Sequence, residues 1–239
     1  MKDELFQLWV YLSATPLAGL TATLVAYQIG TAIYRRSGGS PVANPVLIAV
    51  VLLSLLLWST GTPYRVYFEG AQFVHFLLGP ATVALAVPLY RHFATIRKSA
   101  FAIAVSILAG SVTAIVTAVG TAWLLGASER TMLSLAPKSV TTPVAMGIAE
   151  LIGGLPSLTA ALVILTGILG AILATWTLDA AGIRDWRARG LGVGTAAHGI
   201  GTARAFQVNE LAGAFSSLAM GLNALATAIL VPLLIRLLW

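Results

Sequence analysis

The residues best able to bind a ligand lie between two prolines, Pro137 and Pro143. Pro137 suits the first position of a helix, where its missing N–H would have no partner, and Pro143 removes another backbone donor. A helix end opened in this way presents free N–H groups and the positive end of a dipole, so it favours a small carboxylate. The side chains between the prolines add one cation and three hydroxyls: Lys138, Ser139, Thr141 and Thr142. The alternative is that Lys138 extends to a polar interface along its apolar stem while the hydroxyls bond back to their own helix.

A second group of ionisable and flexible residues lies in the glycine-rich stretch from Gly190 to Arg204. Its glycines permit close helix approach or an unwound backbone. Arg204 could fork two hydrogen bonds to a carboxylate, or it could pair with Glu210 or anchor the chain at the cytoplasmic surface. His198 titrates near neutral pH and could carry a proton, although a buried histidine can equally be a structural donor. We therefore take five residues of this stretch as candidate ligands: His198, Gly199, Gly201, Thr202 and Arg204.

The composition predicts that these residues are carried by membrane helices. The chain of 239 residues is 58% hydrophobic and 9% charged, with a mean hydropathy of +0.91, whereas soluble domains carry roughly a quarter charged residues. Five uncharged runs are long enough to cross a bilayer, which takes about 20 apolar residues. These runs are Leu5–Tyr34, Ser37–Tyr64, Ser99–Ser128, Leu151–Leu178 and Leu211–Ile235.

Three further uncharged stretches are rich in Pro, Gly, Ser and Thr: Gly70–Tyr90, Ser139–Ala149 and Gly190–Ala203. Irregular backbone at membrane depth is tolerated only where it is buried in protein or lines a wet cavity. We therefore predict an all-α polytopic membrane protein of the inner (plasma) membrane. It should have about five regular transmembrane helices plus three broken or re-entrant helical elements.

Basic residues cluster in three short loops, which the positive-inside rule places in the cytoplasm. The clusters are Arg35/Arg36, Arg91/Arg97/Lys98 and Arg184/Arg187/Arg189. Three apolar segments separate the second cluster from the third, and an odd number of crossings would put those clusters on opposite sides. The middle segment, Pro137–Glu150, is polar and contains prolines, so we expect it to re-enter rather than cross.

A weak internal repeat appears at an offset of 57 residues, which takes Pro80 to Pro137 and Thr82 to Ser139. Repeats of this kind, often inverted, place substrate sites at their broken helices, so we add Pro80 and Thr82 to the candidate site. We expect a single transmembrane domain over 1–239, with scaffold helices in 1–69 and repeat units in 70–239. The repeat makes the first two broken elements alike, whereas the charge count makes the first cross and the second re-enter.

Two polar residues of the last helix, Ser217 and Asn223, complete the candidate binding set, although helix packing would also explain them. No cysteine, catalytic triad, paired carboxylates or metal cluster stands out, so we predict neither an enzyme nor a cofactor or metal site. The net charge of +6 lies in short interhelical loops and predicts orientation in the membrane rather than nucleic-acid binding. A homodimer is a further expectation, because a transporter with a moving part needs a stationary scaffold.

Four motifs together resemble the LrgB/CidB family over nearly the whole chain. They are PKSVTTPVA from Pro137, IGGLPSLTA from Ile152, GTAAHGIGTARA from Gly194 and GAFSSLAM from Gly213. Ala197 departs from the serine common in the family before the histidine, and Ala212 departs from a common glutamate. Both departures limit any transfer of substrate or coupling ion from the family.

The resemblance implies two functions. Family members are described as holin-like or antiholin-like proteins linked to lysis and murein hydrolase control, and others as translocators of glycolate, glycerate or pyruvate. It also implies a partner, a small membrane protein of the LrgA/CidA type. From the residues we expect a secondary transporter of small monocarboxylates that works by alternating access, with the holin/antiholin-like role as the alternative.

Overall fold

The computed structural model describes residues 16–238, so residues 5–15 of the predicted Leu5–Tyr34 helix lie outside it. Every regular element within the described residues is helical, which confirms the all-α prediction. Five helices in this part of the chain are long and apolar enough to cross a membrane: Leu17–Arg36, Tyr64–Arg91, Ala100–Leu124, Pro156–Ala180 and Glu210–Leu237. The protein is therefore a multi-pass membrane protein, as predicted.

The fold divides into two compact units, with the boundary between Ala84 and Leu85. Within the described residues, the α-helices of the first unit are α1 (Pro16–Arg36), α2 (Pro45–Thr60), α3 (Tyr64–Phe76) and α4 (Leu78–Ala84). Asn44 starts α2 because its side-chain oxygen accepts from the N–H groups of Val46 (2.9 Å) and Leu47 (3.2 Å). The predicted boundary between scaffold and repeats near residue 69 stays a prediction.

The second unit contains eight helices within the described residues. They are α5 (Ala86–Arg91), α6 (Phe93–Lys98), α7 (Ala100–Leu124), α8 (Glu129–Leu135), α9 (Thr142–Ile152), α10 (Pro156–Ala180), α11 (Trp186–Val208) and α12 (Glu210–Leu238). Asp185 caps α11, because its carboxylate accepts from the backbone N–H of Arg187 at 2.8 Å and from the guanidinium of the same residue. These hydrogen bonds lower the pKa of Asp185 to about 2.

Helices α8 and α9 form a hairpin, which we call hairpin A (Glu129–Ile152), and its tip is the irregular segment between them. After α9 the chain has returned to α8, since Leu155 N–H donates to Ser134 Oγ at 2.8 Å. Thr159 Oγ1 also donates to the Ser134 carbonyl at 2.9 Å. The element therefore starts and ends at the same end of the unit, as the loop charges predict for the Pro137–Glu150 segment.

Helix α11 is also a hairpin, hairpin B (Trp186–Val208), because it reverses direction at His198. That residue has φ 39° and ψ −135°, a strained conformation for a side-chain-bearing residue. A Cβ placed on Gly201 would lie 2.9 Å from Cγ1 of Val193, whereas residues eight apart in a straight helix are separated by about 12 Å. Val193 and Ala205 accordingly share one buried cluster.

The two hairpins enter the second unit from opposite ends. Hairpin A immediately precedes α10 and hairpin B immediately follows it, and the 25 residues of α10 span about 37 Å. Two ion pairs mark the end where hairpin B begins and ends: Arg91 with Glu210 at 3.2 Å, and Arg189 with Asp179 at 2.6 Å. The second and third basic clusters therefore lie at the same end, which we call the basic end.

The first broken element of the sequence differs in local structure from hairpin A. Gly70–Tyr90 falls on α3, α4 and α5, which follow one another with single-residue interruptions and belong to one apolar span, Tyr64–Arg91. Hairpin A instead has a six-residue break and turns back. The two elements therefore differ in local structure, while the repeat, the crossing of the first element and the re-entry of the second stay predictions.

Candidate functional site

The tips of the two hairpins meet at one side chain of α12, the amide of Asn223. Its nitrogen donates to the carbonyl of Ser139 in hairpin A and to the carbonyl of Thr195 in hairpin B, each at 3.0 Å. Its oxygen accepts from Ser111 Oγ of α7 at 2.5 Å and from Thr227 Oγ1 at 3.4 Å. Asn223 is 1% exposed, so this node is fully buried. The two carbonyls are open to it because each lies where a helix is interrupted.

A groove of about 600 Å³ runs beside this node, between α7 and the first arm of hairpin B. Lys138 and Ser139 of hairpin A lie on its wall. Lys138 is half-buried, and its ammonium donates to Ser139 Oγ at 3.1 Å. No carboxylate forms an ion pair with Lys138 among the described residues. Apart from Leu191, the other lining residues are small or carry hydroxyls.

The charges around the tips favour an anion. Helix α9 begins just after the tip of hairpin A, and the returning half of α11 begins after His198, so two helix N-termini point toward the centre of the unit. Helix α8 and the first arm of hairpin B end there with their C-termini, so the helix dipoles oppose one another and the net charge at the tips is that of Lys138. Acidic residues of the second unit lie instead at helix ends or in loops: Glu129, Glu150, Asp179, Asp185 and Glu210. The charge of Lys138 is therefore left without a neutralising side chain among the described residues.

His198 is held in place at the tip of hairpin B by α10. Its Nε2 lies 2.9 Å from the Val163 carbonyl, and since a carbonyl only accepts, Nε2 carries the proton. Gly167 makes room for the ring, because a Cβ there would lie 2.6 Å from Cε1 of His198. Thr202 Oγ1 donates to the His198 carbonyl at 2.7 Å, one turn along the returning arm.

The other predicted residues of hairpin B lie around this tip or away from it. Gly199 follows the reversal, while buried Gly201 lets the two arms pack closely. Arg204 lies near the basic end, where it lines a small cavity with Trp186 and Arg189 rather than the groove. Glu210, the partner considered for Arg204, pairs with Arg91.

The predicted residues outside hairpin B are also dispersed. Thr141 and Thr142 start α9 just beyond the tip of hairpin A and do not line the groove. Ser217 is buried and donates to the carbonyl of Gly213 on its own helix at 3.0 Å. Pro80 and Thr82 belong to α4 of the first unit, with exposed side chains. Their role in binding stays a prediction.

Sequence reasoning missed the residues that connect the two hairpins to α7. Ser111 of α7 supports the amide of Asn223, and Gly110 lets α7 approach hairpin B, because a Cβ there would lie 2.9 Å from Cγ2 of Thr195. The hydroxyls of Ser106 and Thr113 line the groove from the same helix. The only signal in the sequence was a set of small residues in an apolar helix, which helix packing explains equally well.

Comparison with known proteins gives a consistent set of relatives. The model of the LrgB-like family matches residues 23–237. The chain is 37% identical to an uncharacterized protein, YwbG, of Bacillus subtilis (strain 168), covering 92% of this chain and 97% of that protein. It is 34% identical to the holin-like protein CidB of Staphylococcus epidermidis (90% and 93% covered) and 31% identical to the antiholin-like protein LrgB of Bacillus mycoides (92% and 95%). No solved structure matches the chain significantly.

Proposed function

Because the chain belongs to the LrgB-like family, we propose that it acts as a holin-like or antiholin-like membrane protein that controls lysis and murein hydrolase activity. This role is supported by the names of relatives that are 31–34% identical to this protein over nine-tenths of the chain. These names favour lysis control over carboxylate transport, because they describe holin-like and antiholin-like proteins and mention no transport. The family is not a known enzyme class, and the absence of an enzymatic activity remains our prediction.

The test of this role is expression in a bacterium that lacks its own LrgB-like protein, with and without a small membrane protein of the LrgA/CidA type. We expect a changed rate of autolysis and changed murein hydrolase activity in the medium, because the protein would act on the membrane through which these enzymes are released. Unchanged lysis in both strains, with the protein detected in the membrane fraction, would reject the role. The two-strain comparison also tests the proposed partner.

A second activity is favoured by the arrangement of the two hairpins, namely the movement of small monocarboxylates by alternating access. Transporters bind their substrates near the midplane, at interrupted helices whose N-termini face anionic groups. Here the tips of hairpins A and B share the amide of Asn223, and the cation of Lys138 lies beside them. A lysis-control protein with this activity would act through the anions that it carries. We propose a homodimer as part of this mechanism, because a transporter with a moving part needs a stationary scaffold.

The charge of Lys138 links substrate binding to the conformational change of the transporter. An unpaired charge at the centre of a bilayer costs at least about 2.5 kcal/mol. A bound carboxylate would neutralise Lys138 and remove much of that cost. We therefore expect substrate to accelerate the exchange between conformations, since the loaded site moves without a net charge.

Uptake by proteoliposomes tests this activity with glycolate, glycerate and pyruvate as probes. The Lys138→Gln variant should lose at least ten-fold in uptake, because it removes the cation and keeps the approximate side-chain length. Lys98→Gln is the matched control, since Lys98 is an exposed lysine at the end of α6. Equal uptake by both variants, or no uptake above empty liposomes by folded wild-type protein, would reject carboxylate transport. Release of unselected solutes of mixed charge would instead support a holin-like lesion.

A further inference from the structure

We propose that the groove beside Lys138 is a one-sided aqueous route by which a small anion reaches the hairpin tips from the basic end of the second unit. This inference rests on the proposed transport and adds the side from which the site is reached. The positive-inside rule places the basic end in the cytoplasm, so the proposal assigns the structure to the conformation of the transport cycle that is open toward the cytoplasm.

The walls of the groove begin close to the basic end. On hairpin B the lining residues run from Ala188 to Ala196, a distance of about 12 Å along a helix. Ala188 lies between Arg187 and Arg189 in the first turn of α11, within the third basic cluster. On α7 the lining begins at Ser106, about 9 Å from the helix start, and continues inward. The groove therefore extends from the basic loops into the middle of the unit.

The lining residues suit the passage of a hydrated anion. The alanines at 109, 188 and 196 and the glycines at 110 and 192 are small residues, so they leave the groove open. Ser106 and Thr113 expose hydroxyls that donate to no protein group among the described residues. Lys138 gives the inner end of the route a positive charge, which favours anions over cations.

The opposite side of the tips is closed by apolar packing. Val140 of hairpin A is 1% exposed and belongs to a buried cluster with Ile115, Val163 and Val231. This cluster lies next to the residues that Asn223 ties together, and it extends along α8, α9 and the outer half of α7. An anion at Lys138 can therefore exchange with water along the groove but not through this cluster.

Accessibility of introduced cysteines tests the route, and the native chain is suited to this because it contains no cysteine. Ala109→Cys and Ala196→Cys place thiols on opposite walls of the groove, and both alanines are exposed there. Leu108→Cys is the matched control, because Leu108 is 51% exposed on the same helix but does not line the groove. Lys98→Cys marks the basic end.

The probe is a membrane-impermeant, negatively charged methanethiosulfonate, applied to right-side-out and inverted vesicles that contain the full chain. We expect both groove cysteines to react at least ten-fold faster in the orientation in which Lys98→Cys reacts, while Leu108→Cys reacts slowly in both. Adding Lys138→Gln to Ala196→Cys should slow this reagent several-fold relative to its cationic counterpart. Equal rates from both sides, faster reaction from the side opposite Lys98→Cys, or rates as slow as those of Leu108→Cys would overturn the inference. One-sided labelling together with absent carboxylate uptake would keep the access route and reject the transport activity.

Discussion

Replacing Asn223 by aspartate removes both donors that tie the hairpin tips together while keeping the size and shape of the side chain. The variant loses the hydrogen bonds to the carbonyls of Ser139 and Thr195, each 3.0 Å long. It keeps the acceptor for Ser111 Oγ. A carboxylate would also place its oxygens against the two carbonyl oxygens, so the tips should separate.

The magnitude follows from the number of bonds lost and from their environment. Hydrogen bonds between helices of membrane proteins contribute about 0.6 kcal/mol on average and up to about 1.7 kcal/mol. The two lost bonds by themselves therefore predict a loss of about 1–3 kcal/mol in the free energy of unfolding, and repulsion between the buried carboxylate and the two carbonyl oxygens adds to this loss. Thr227→Val serves as the matched control, because it removes only the 3.4 Å bond to the same amide and should cost less.

The assay is hydrogen exchange measured by mass spectrometry, together with thermal unfolding in detergent. In Asn223→Asp the peptides covering residues 136–141 and 194–199 should lose protection together, because one amide holds both tips. Loss of protection at one tip only, or unchanged exchange at both, would refute the reasoning that Asn223 couples the hairpins. Asn223→Ala gives an independent check, since it removes the donors without adding a charge.

Two further predictions concern the supports of hairpin B. Gly167→Ala should cost about 1–3 kcal/mol of stability, because the new Cβ would lie 2.6 Å from the His198 ring and would break the hydrogen bond from His198 Nε2 to the Val163 carbonyl. Gly120→Ala is the control and should not destabilise the protein, because its Cβ would meet no atom within 4 Å. Asp185→Ala should lower stability by about 1 kcal/mol through loss of the helix cap. Because the pKa of Asp185 is lowered to about 2, this contribution should be constant above about pH 4, where the unfolded carboxyl titrates, and should be lost as the pH falls toward 2. Thermal unfolding measured from pH 8 to pH 3 checks both, and a variant difference that grows on acidification would contradict the second.

The sequence by itself determined the class of the protein and the positions where its helices are interrupted. Several uncharged runs of more than 20 residues in a chain with 9% charged residues indicate membrane helices, because a helix satisfies its backbone groups within one apolar segment. The interruptions are local as well, because Pro137 and Pro143 lack N–H groups and the stretch from Gly190 is rich in glycine. The family could also be predicted, since its motifs are contiguous in sequence, and the comparisons confirm it.

Only the tertiary structure decided what the interruptions are used for. A broken helix leaves carbonyls open, but the residue that satisfies them can lie anywhere in the chain. Here Asn223 is 84 residues from Ser139 and 28 from Thr195. The reversal of α11 at His198 likewise depends on packing against α10, and it carries Arg204 back toward the basic end and away from Lys138. Composition and local propensity do not encode these long-range pairings, so they could not be predicted from the residues that form the breaks.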